Sequence, residues 1–206
     1  MDKKVLIMGT GRAGTTFLVR MFTRLGFDTG WTKDNYESDV TSGSNAGLEY
    51  MPNLQYVIDN YDNKKIEVYK APQYTSQLDD KRAQFIANKF FVIIPIRKFE
   101  ETARSREKNN INRNTGSFHG MTNRDSMVKS YFDQLENDHR IIANYIYFMT
   151  KFDIETIFLN FETMIRNPQY LFDKMNKILS FKNVNFDLFY ENYKIVSEQS
   201  KPKAKK

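Results

Sequence analysis

The chain has 206 residues, of which 40% are hydrophobic and 15% aromatic, enough for one domain with a real core. It has no cysteine and only two histidines, which excludes a disulfide framework and a thiolate metal site and argues against a histidine-rich one. The net charge is +6, but lysines within residues 201–206 supply +4 of it, so the body of the chain gives no strong case for nucleic-acid binding.

Nothing in the chain predicts a membrane span or a signal peptide. No apolar run approaches the ~20 residues that a membrane helix needs, and an apolar strand pattern begins almost at the N-terminus. We therefore expect a cytoplasmic protein without a membrane or nucleic-acid partner. It would consist of a single domain over residues 1–196 and a basic, disordered tail over residues 197–206.

A glycine-rich turn follows the first apolar run of the chain. The run Val5–Met8 predicts a buried strand, and Thr15–Leu25 has apolar residues at helical spacing. Between them, residues 9–14 read Gly-Thr-Gly-Arg-Ala-Gly, and Thr15 and Thr16 follow. Glycines permit positive φ and close backbone approach, and a helix N-terminus favours an anion. The segment therefore predicts a P-loop-like phosphate-binding turn.

The turn departs from the Walker pattern G-x4-G-K-[ST]. Gly9 and Gly14 have the required separation, but Thr15 stands where the lysine should be, and the nearest cation is Arg12. The turn is therefore a poor match to an ATPase or a GTPase.

Strands and helices alternate along the rest of the chain. Further strands are predicted at Ile66–Tyr69, Phe90–Ile96 and Thr156–Asn160. Further helices are predicted at Asn53–Tyr61, Asp79–Asn88, Phe99–Lys108, Arg124–Thr150 and Pro168–Leu179. Residues 33–47 and 109–123 are polar and are predicted to be loops. The alternation predicts a three-layer α/β/α fold with a mainly parallel central sheet. The two most apolar strands, Val5–Met8 and Phe90–Ile96, should be central in it.

A second anion handle follows the strand Phe90–Ile96. Arg97 leaves this strand, and Ser105 lies eight residues later on the predicted helix. The carboxyl ends of parallel strands share one edge of the sheet, and arginine binds phosphate through paired charge-assisted hydrogen bonds. Both residues are therefore predicted to face one anion.

Four segments in chain order resemble motifs of the sulfotransferase family. Residues 11–16 resemble its 5′-phosphosulfate loop, and Arg97 with Ser105 resemble its 3′-phosphate-binding arginine and serine. Residues 69–74 look like the K-x-P-x-Y segment of the carbohydrate and protein branch, and residues 159–168 look like the late strand-to-helix segment. The resemblance spans residues 5 to about 180. It is closer to the bacterial and carbohydrate branch than to the cytosolic branch with a histidine base.

The resemblance implies the donor 3′-phosphoadenosine 5′-phosphosulfate (PAPS). Its sulfuryl group would pass to a hydroxyl or amine of a small-molecule or carbohydrate acceptor, without a metal. Arg12 and Lys70 would stabilise the charge of the transition state. The implied donor-binding residues are Gly11, Arg12, Ala13, Gly14, Thr15, Thr16, Arg97 and Ser105.

The acceptor needs a general base. Some family members have a histidine after the position that Lys70 matches, but here Ala71 and Pro72 follow it. Glu49 is the first candidate, because residues 47–50 resemble a glutamate-containing segment of bacterial relatives. Glu37 and His119 are the other candidates.

Two alternatives stay open at the level of sequence. One is a P-loop nucleoside or small-molecule kinase, which would need a lysine at the position of Thr15 and a magnesium-binding acid after a strand; Asp153 instead precedes the last strand. The other is a relative that binds the nucleotide without catalysing transfer.

Overall fold

The computed structural model describes residues 3–37, 40–41, 46–49, 53–62, 65–111 and 131–200. The strands within these residues are Lys4–Ile7 (β1), Val40–Thr41 (β2), Ala46–Gly47 (β3), Val68–Lys70 (β4), Phe90–Ile96 (β5) and Thr156–Asn160 (β6). The α-helices are Thr15–Arg24 (α1), Leu54–Asp59 (α2), Asp80–Lys89 (α3), Phe99–Ile111 (α4), Tyr131–Phe152 (α5), Phe161–Met164 (α6), Pro168–Leu179 (α7) and Phe186–Gln199 (α8). Short 3₁₀ helices span Pro72–Gln77 and Ser180–Lys182.

Four of the strands form one parallel sheet in the order β4-β1-β5-β6. The register places Ile7 beside Lys70 of β4 on one side and Ile93 of β5 on the other. After β1 the chain returns on one side as β4 and then crosses to the other side as β5. This reversal at β1 is a topological switch point, and ligands of open α/β sheets bind outside the carboxyl ends of the strands at such a point.

Helices cover both faces of the sheet. Alternate side chains of a strand point to opposite faces; Val5 and Ile7 lie in one core cluster with α1, α7 and α8, whereas Leu6 and Met8 lie in a second with α2, α3 and α5. The predicted three-layer α/β/α fold is confirmed. So is the central position of the strands at residues 4–7 and 90–96.

Side-chain caps set where most of the helices begin. Asparagine or aspartate at the N-cap accepts a backbone hydrogen bond from the third residue of the helix, which satisfies one of the free N–H groups there. The residues that do this are Asn53, Asp79, Asn160, Asn167 and Asn185. Helix α1 differs, because its N-cap is Gly14, which has no side chain.

The structure departs from the predicted elements at several places. The short strands β2 and β3 lie within the predicted loop 33–47, α6 is not among the predicted helices, and β4 spans Val68–Lys70 where Ile66–Tyr69 is predicted. Helix α4 continues through residues 109–111, which the sequence assigns to a loop. Helix α8 is absent from the predicted elements and includes Ser197–Gln199, the first residues of the predicted tail. Its buried Phe189, Tyr193 and Val196 belong to the core beside α1, and this packing keeps the segment helical. The predicted start of α5 at Arg124 lies outside the described residues.

Among the helices that the structure describes, none combines the length and the apolar character that crossing a membrane requires.

Candidate functional site

The turn between β1 and α1 is built on three residues with positive φ. Gly9 has φ 125°, Arg12 has φ 72° and Gly14 has φ 92°. A Cβ on Gly14 would lie 2.6 Å from Cδ2 of Phe161 and 2.8 Å from Cε of Met164, on helix α6. Glycine is therefore required at position 14 both by the backbone and by the close approach of α6.

Arg12 is the residue at which the turn is strained. An L-residue with a side chain in the left-handed region costs about 1–2 kcal/mol relative to a right-handed conformation, whereas glycine avoids this cost. Strain of this kind is concentrated at ligand-binding sites. A guanidinium at a position where glycine would be less strained indicates that the cation has a role there.

Helix α1 begins with its N-terminal N–H groups directed at the turn. Gly14 provides no side-chain cap, in contrast to the asparagine and aspartate caps of α2, α3, α6, α7 and α8. Free N–H groups and the positive end of the helix dipole together favour an anion. The turn thus offers main-chain donors as well as a cation.

Arg12 and Ser105 meet at the outer side of the turn. Nε of Arg12 donates a 3.1 Å hydrogen bond to Oγ of Ser105 on α4. Nη1 of Arg97 lies 3.5 Å from the carbonyl oxygen of Arg12. Three of the residues predicted to bind the donor therefore lie together at the carboxyl edge of the sheet.

Arg97 is not directed at Ser105, however. Its Nε and Nη2 contact Oε2 of Glu101 at 2.9 and 2.7 Å, and its guanidinium lies 4.8 Å from the ring centroid of Phe161. The carboxylate of Glu101 occupies the fork that a phosphate would need. The contact between Arg97 and Glu101 also orients the guanidinium beside the turn.

Lys70 is a buried cation on the other side of the turn. Its side chain is 2% exposed, and Nζ donates to the carbonyl oxygen of Gly47 at 2.9 Å and to the carboxylate of Glu49. Burial lowers the pKa of Lys70, Glu49 raises it, and the positive charge of Arg12 lowers it further. Two cations thus converge at the turn, and one of them is held in a site that disfavours its charge.

Glu49 lies in a short strained segment. Leu48 has φ 62°, and the preceding Gly47 has φ 131°. The carbonyl oxygen of Gly47 accepts hydrogen bonds from Thr16 Oγ1 at 3.2 Å and from Lys70 Nζ. The segment that presents Glu49 is therefore tied both to the first turn of α1 and to the end of β4.

The other residues predicted for donor binding differ in what they present. Ala13, Thr15 and Thr16 are buried, and Thr16 directs its hydroxyl at Gly47. These residues would contact a ligand chiefly through backbone N–H groups. Gly11 lies in the turn and is half-buried.

The alternative candidates for the base lie elsewhere. Glu37 pairs with Nη2 of Arg20 at 3.0 Å, and the Arg20 side chain is 1% exposed on α1. This ion pair links the polar segment to the buried face of α1, so Glu37 serves a structural contact. His119 lies outside the described residues. Within the described residues, Glu49 contacts another candidate site residue, Lys70, whereas Glu37 does not.

Sequence reasoning missed three residues that adjoin the site. Glu101 contacts Arg97, and the hydroxyl of Tyr145 contacts both Gly9 and Thr75. Tyr145 belongs to an apolar stripe of α5 in the sequence, where a buried tyrosine resembles ordinary core packing. No local pattern indicates its polar contacts.

Within the described residues, no cluster of three or more histidine, aspartate or glutamate side chains has the arrangement of a metal site. Comparison with protein-family models and with curated protein sequences gives no match.

Proposed function

We propose that the chain is a sulfotransferase that transfers the sulfuryl group of PAPS to a hydroxyl or amine acceptor such as a carbohydrate. The observation that carries the proposal is the convergence of Arg12 and Lys70 beside an uncapped helix N-terminus. Burial lowers the pKa of Lys70, its ion pair with Glu49 raises it, and the positive charge of Arg12 lowers it. A ligand with several negative charges would supply counter-charge to both cations.

The arrangement of the cationic and hydroxyl side chains supports a donor that has two separated anionic groups. The turn and Lys70 offer one set of donors. Arg97 and Ser105, beside Arg12, offer a second set on the α4 side. The 5′-phosphosulfate and the 3′-phosphate of PAPS would contact these two sets. The resemblance of residues 11–16 and of the Arg97 and Ser105 pair to the family motifs supports the same assignment.

The transfer step assigns a role to each of these groups. The acceptor oxygen or nitrogen forms a new bond to sulfur as the bond from sulfur to the 5′-phosphate oxygen breaks. The electron pair of that bond stays on the phosphate, and the products are the sulfated acceptor and 3′-phosphoadenosine 5′-phosphate. Arg12, Lys70 and the N–H groups of the turn stabilise the charge on the leaving oxygens.

Glu49 would take the proton of the acceptor. Its carboxylate is paired with Lys70 in this structure, so an anionic donor that contacts Lys70 competes for the same ammonium group. Donor binding then frees the carboxylate to act as a base beside the reacting sulfur. The contact between Glu49 and Lys70 thus links donor binding with base availability.

A kinase has less support from the same geometry. Thr15 is buried and replaces the lysine that a Walker loop needs. Asp153 precedes β6 and therefore lies at the amino edge of the sheet, opposite the turn. Thr15 therefore cannot supply the lysine of a P-loop kinase, and Asp153 is too far from the turn to supply its magnesium-binding acid.

Isothermal titration with 3′-phosphoadenosine 5′-phosphate and with Mg·ATP tests the proposal. The bisphosphate should bind more tightly than Mg·ATP, and Lys70→Met should weaken its binding by at least tenfold. Lys177→Met is the matched control, because this exposed lysine pairs with Glu155 near the start of β6, away from the turn. Preference for Mg·ATP would favour a kinase, and no binding of either nucleotide would refute the proposal.

A further inference from the structure

The first N–H group of the turn is directed away from the sheet. The N–H of Met8 still bonds to the carbonyl oxygen of Ile93 in β5, at 3.0 Å. The next N–H, that of Gly9, donates to the hydroxyl of Tyr145 on α5 at 3.0 Å. The turn thus begins at a hydrogen bond to a side chain that is itself fully buried.

The same hydroxyl group reaches the segment that follows Lys70. The Tyr145 hydroxyl forms a hydrogen bond with Oγ1 of Thr75, and Thr75 Oγ1 contacts the carbonyl oxygen of Pro72 at 3.0 Å. Pro72 lies two residues after Lys70 and begins a 3₁₀ helix. A second contact of α5 supports this link, because Nδ2 of Asn144 lies 3.4 Å from the carbonyl oxygen of Thr75.

We propose that Tyr145 is a positioning residue that fixes the glycine turn and the Lys70 segment relative to each other. The inference rests on the proposed function, because it assigns both parts to one anion site. One phenol oxygen contacts both parts, so a shift of either part would break a buried hydrogen bond. A buried donor left without an acceptor is costly, which makes the two parts move as one unit.

The phenol serves this role as a neutral group. Burial raises the pKa of Tyr145, so the hydroxyl stays protonated and can accept from Gly9 while it bonds to Thr75. Tyr145 is fully buried beneath the turn. It therefore acts through the position of the turn and of Lys70 and not as a base.

Two variants separate the two contacts. Tyr145→Phe removes both contacts of the phenol oxygen, whereas Thr75→Val removes the contacts of the Thr75 hydroxyl with the phenol and with the carbonyl oxygen of Pro72 and keeps the bond from Gly9. Tyr61→Phe is the matched control, because the Tyr61 hydroxyl donates at 3.0 Å to the carbonyl oxygen of Lys89 at the amino edge of the sheet. Each of the variants removes one polar group from a buried or partly buried position.

Hydrogen exchange of the Gly9 amide tests the anchor independently of activity. We expect Tyr145→Phe to speed this exchange by at least tenfold, and Thr75→Val and Tyr61→Phe to leave it within about threefold of wild type. Equal exchange of Gly9 in wild type and in Tyr145→Phe would overturn the proposal. This readout remains decisive even if the protein binds no bisphosphate nucleotide, which would refute the proposed function alone.

Nucleotide binding and turnover test whether the contacts of Tyr145 matter for the proposed activity. Tyr145→Phe and Thr75→Val should each weaken binding of 3′-phosphoadenosine 5′-phosphate by about tenfold, because both release the segment that holds Lys70, and Thr75→Val should also lower kcat by at least tenfold. Thr75→Ser, which keeps the hydroxyl, should restore kcat. If Tyr145→Phe does not fold, the comparison of Thr75→Val with Thr75→Ser decides alone. Losses no larger than those of Tyr61→Phe would show that Tyr145 and Thr75 only fill the core.

Discussion

Nε of Arg12 donates a 3.1 Å hydrogen bond to Oγ of Ser105, and this bond joins the turn after β1 to helix α4. The sequence predicts Ser105 as the partner of Arg97 at one anion. In the structure Arg12 takes that place, and Arg97 approaches the turn through the carbonyl oxygen of Arg12. The two cations and the hydroxyl therefore form one cluster beside the turn.

Replacement of Arg12 by glycine should weaken nucleotide binding but leave the stability of the fold almost unchanged. Glycine accepts φ 72° without strain, which offsets the loss of the hydrogen bond to Ser105, so the free energy of unfolding should change by less than about 1 kcal/mol. Loss of a charge-assisted contact costs about 1.5–3 kcal/mol, so affinity for 3′-phosphoadenosine 5′-phosphate should fall roughly 10- to 150-fold. Urea unfolding and calorimetric titration measure the two quantities. Unchanged affinity would exclude Arg12 from the site.

Gly14 should be the glycine that tolerates a side chain least. Gly14→Ala adds left-handed strain of about 1–2 kcal/mol and a clash with Phe161 and Met164, for which overpacking costs a further ~1–3 kcal/mol. Gly26→Ala is the matched control, since Gly26 has φ 85° and open space around its Cβ position. Chemical denaturation of both variants isolates the clash. Equal destabilisation would mean that α6 moves aside without cost.

Local signals fix much of the fold. Strand β5 and helix α7 have the predicted bounds, because β5 is an unbroken apolar run and Pro168 follows the N-cap Asn167. Helix α8 has comparable signals, with Asn185 as N-cap and Asp187 in the first turn. Its polar, tyrosine-rich surface hides the buried stripe, which becomes apparent only through its packing on α1.

The sequence predicts the site less completely than it predicts the fold. The glycine turn is local, and its position after β1 is predicted correctly. The ion pair of Lys70 with Glu49 and the contacts of Tyr145 join residues that are distant in the chain. Such contacts depend on strand order and on which face of a helix is buried. Neither the strand order nor the buried face of a helix can be deduced from the spacing of residues in one sequence.

Arg97 should bind the 3′-phosphate of the nucleotide. Arg97→Ala should weaken binding of 3′-phosphoadenosine 5′-phosphate by about 1.5–3 kcal/mol, and should affect AMP, which lacks the 3′-phosphate, much less. Glu101→Gln should instead strengthen binding of the bisphosphate, because the carboxylate that competes for the Arg97 fork is neutralised. Calorimetric titration with both nucleotides measures these effects.

Glu100→Gln is the control for the charge change, since Glu100 lies in the same first turn of α4. It should alter bisphosphate affinity far less than Glu101→Gln does. Weaker binding in Glu101→Gln would show that Glu101 orients Arg97 for the ligand and does not compete with it. Equal losses for both nucleotides in Arg97→Ala would remove Arg97 from the 3′-phosphate site.

The basic limb of the pH–rate profile should report Lys70. Burial lowers the pKa of Lys70 from its ordinary value of 10.5, and the transfer step needs the charged ammonium, so kcat/KM should fall as pH rises through that lowered value. In Lys70→Arg the charge persists to higher pH, so this fall should disappear from the accessible range. Identical basic limbs in the two proteins would show that another group titrates.

Stability should change with pH in the corresponding sense. Between the lowered pKa of Lys70 and 10.5, the unfolded chain binds more protons at this position than the folded chain does. The contribution of Lys70 to the free energy of unfolding therefore rises with pH across this window and levels off above it. Urea unfolding of wild type and Lys70→Met at a series of pH values measures the difference.

The decisive assay measures transfer of labelled sulfuryl from PAPS to a panel of carbohydrate hydroxyls and amines and to water. The wild-type protein should transfer the label. Glu49→Gln should reduce turnover by about 10²–10⁴-fold, the usual contribution of a general base. It should bind 3′-phosphoadenosine 5′-phosphate at least as tightly as wild type, because it removes a carboxylate from Lys70. If the wild-type protein binds the bisphosphate but transfers label neither to any acceptor nor to water, the proposed sulfotransferase activity is wrong.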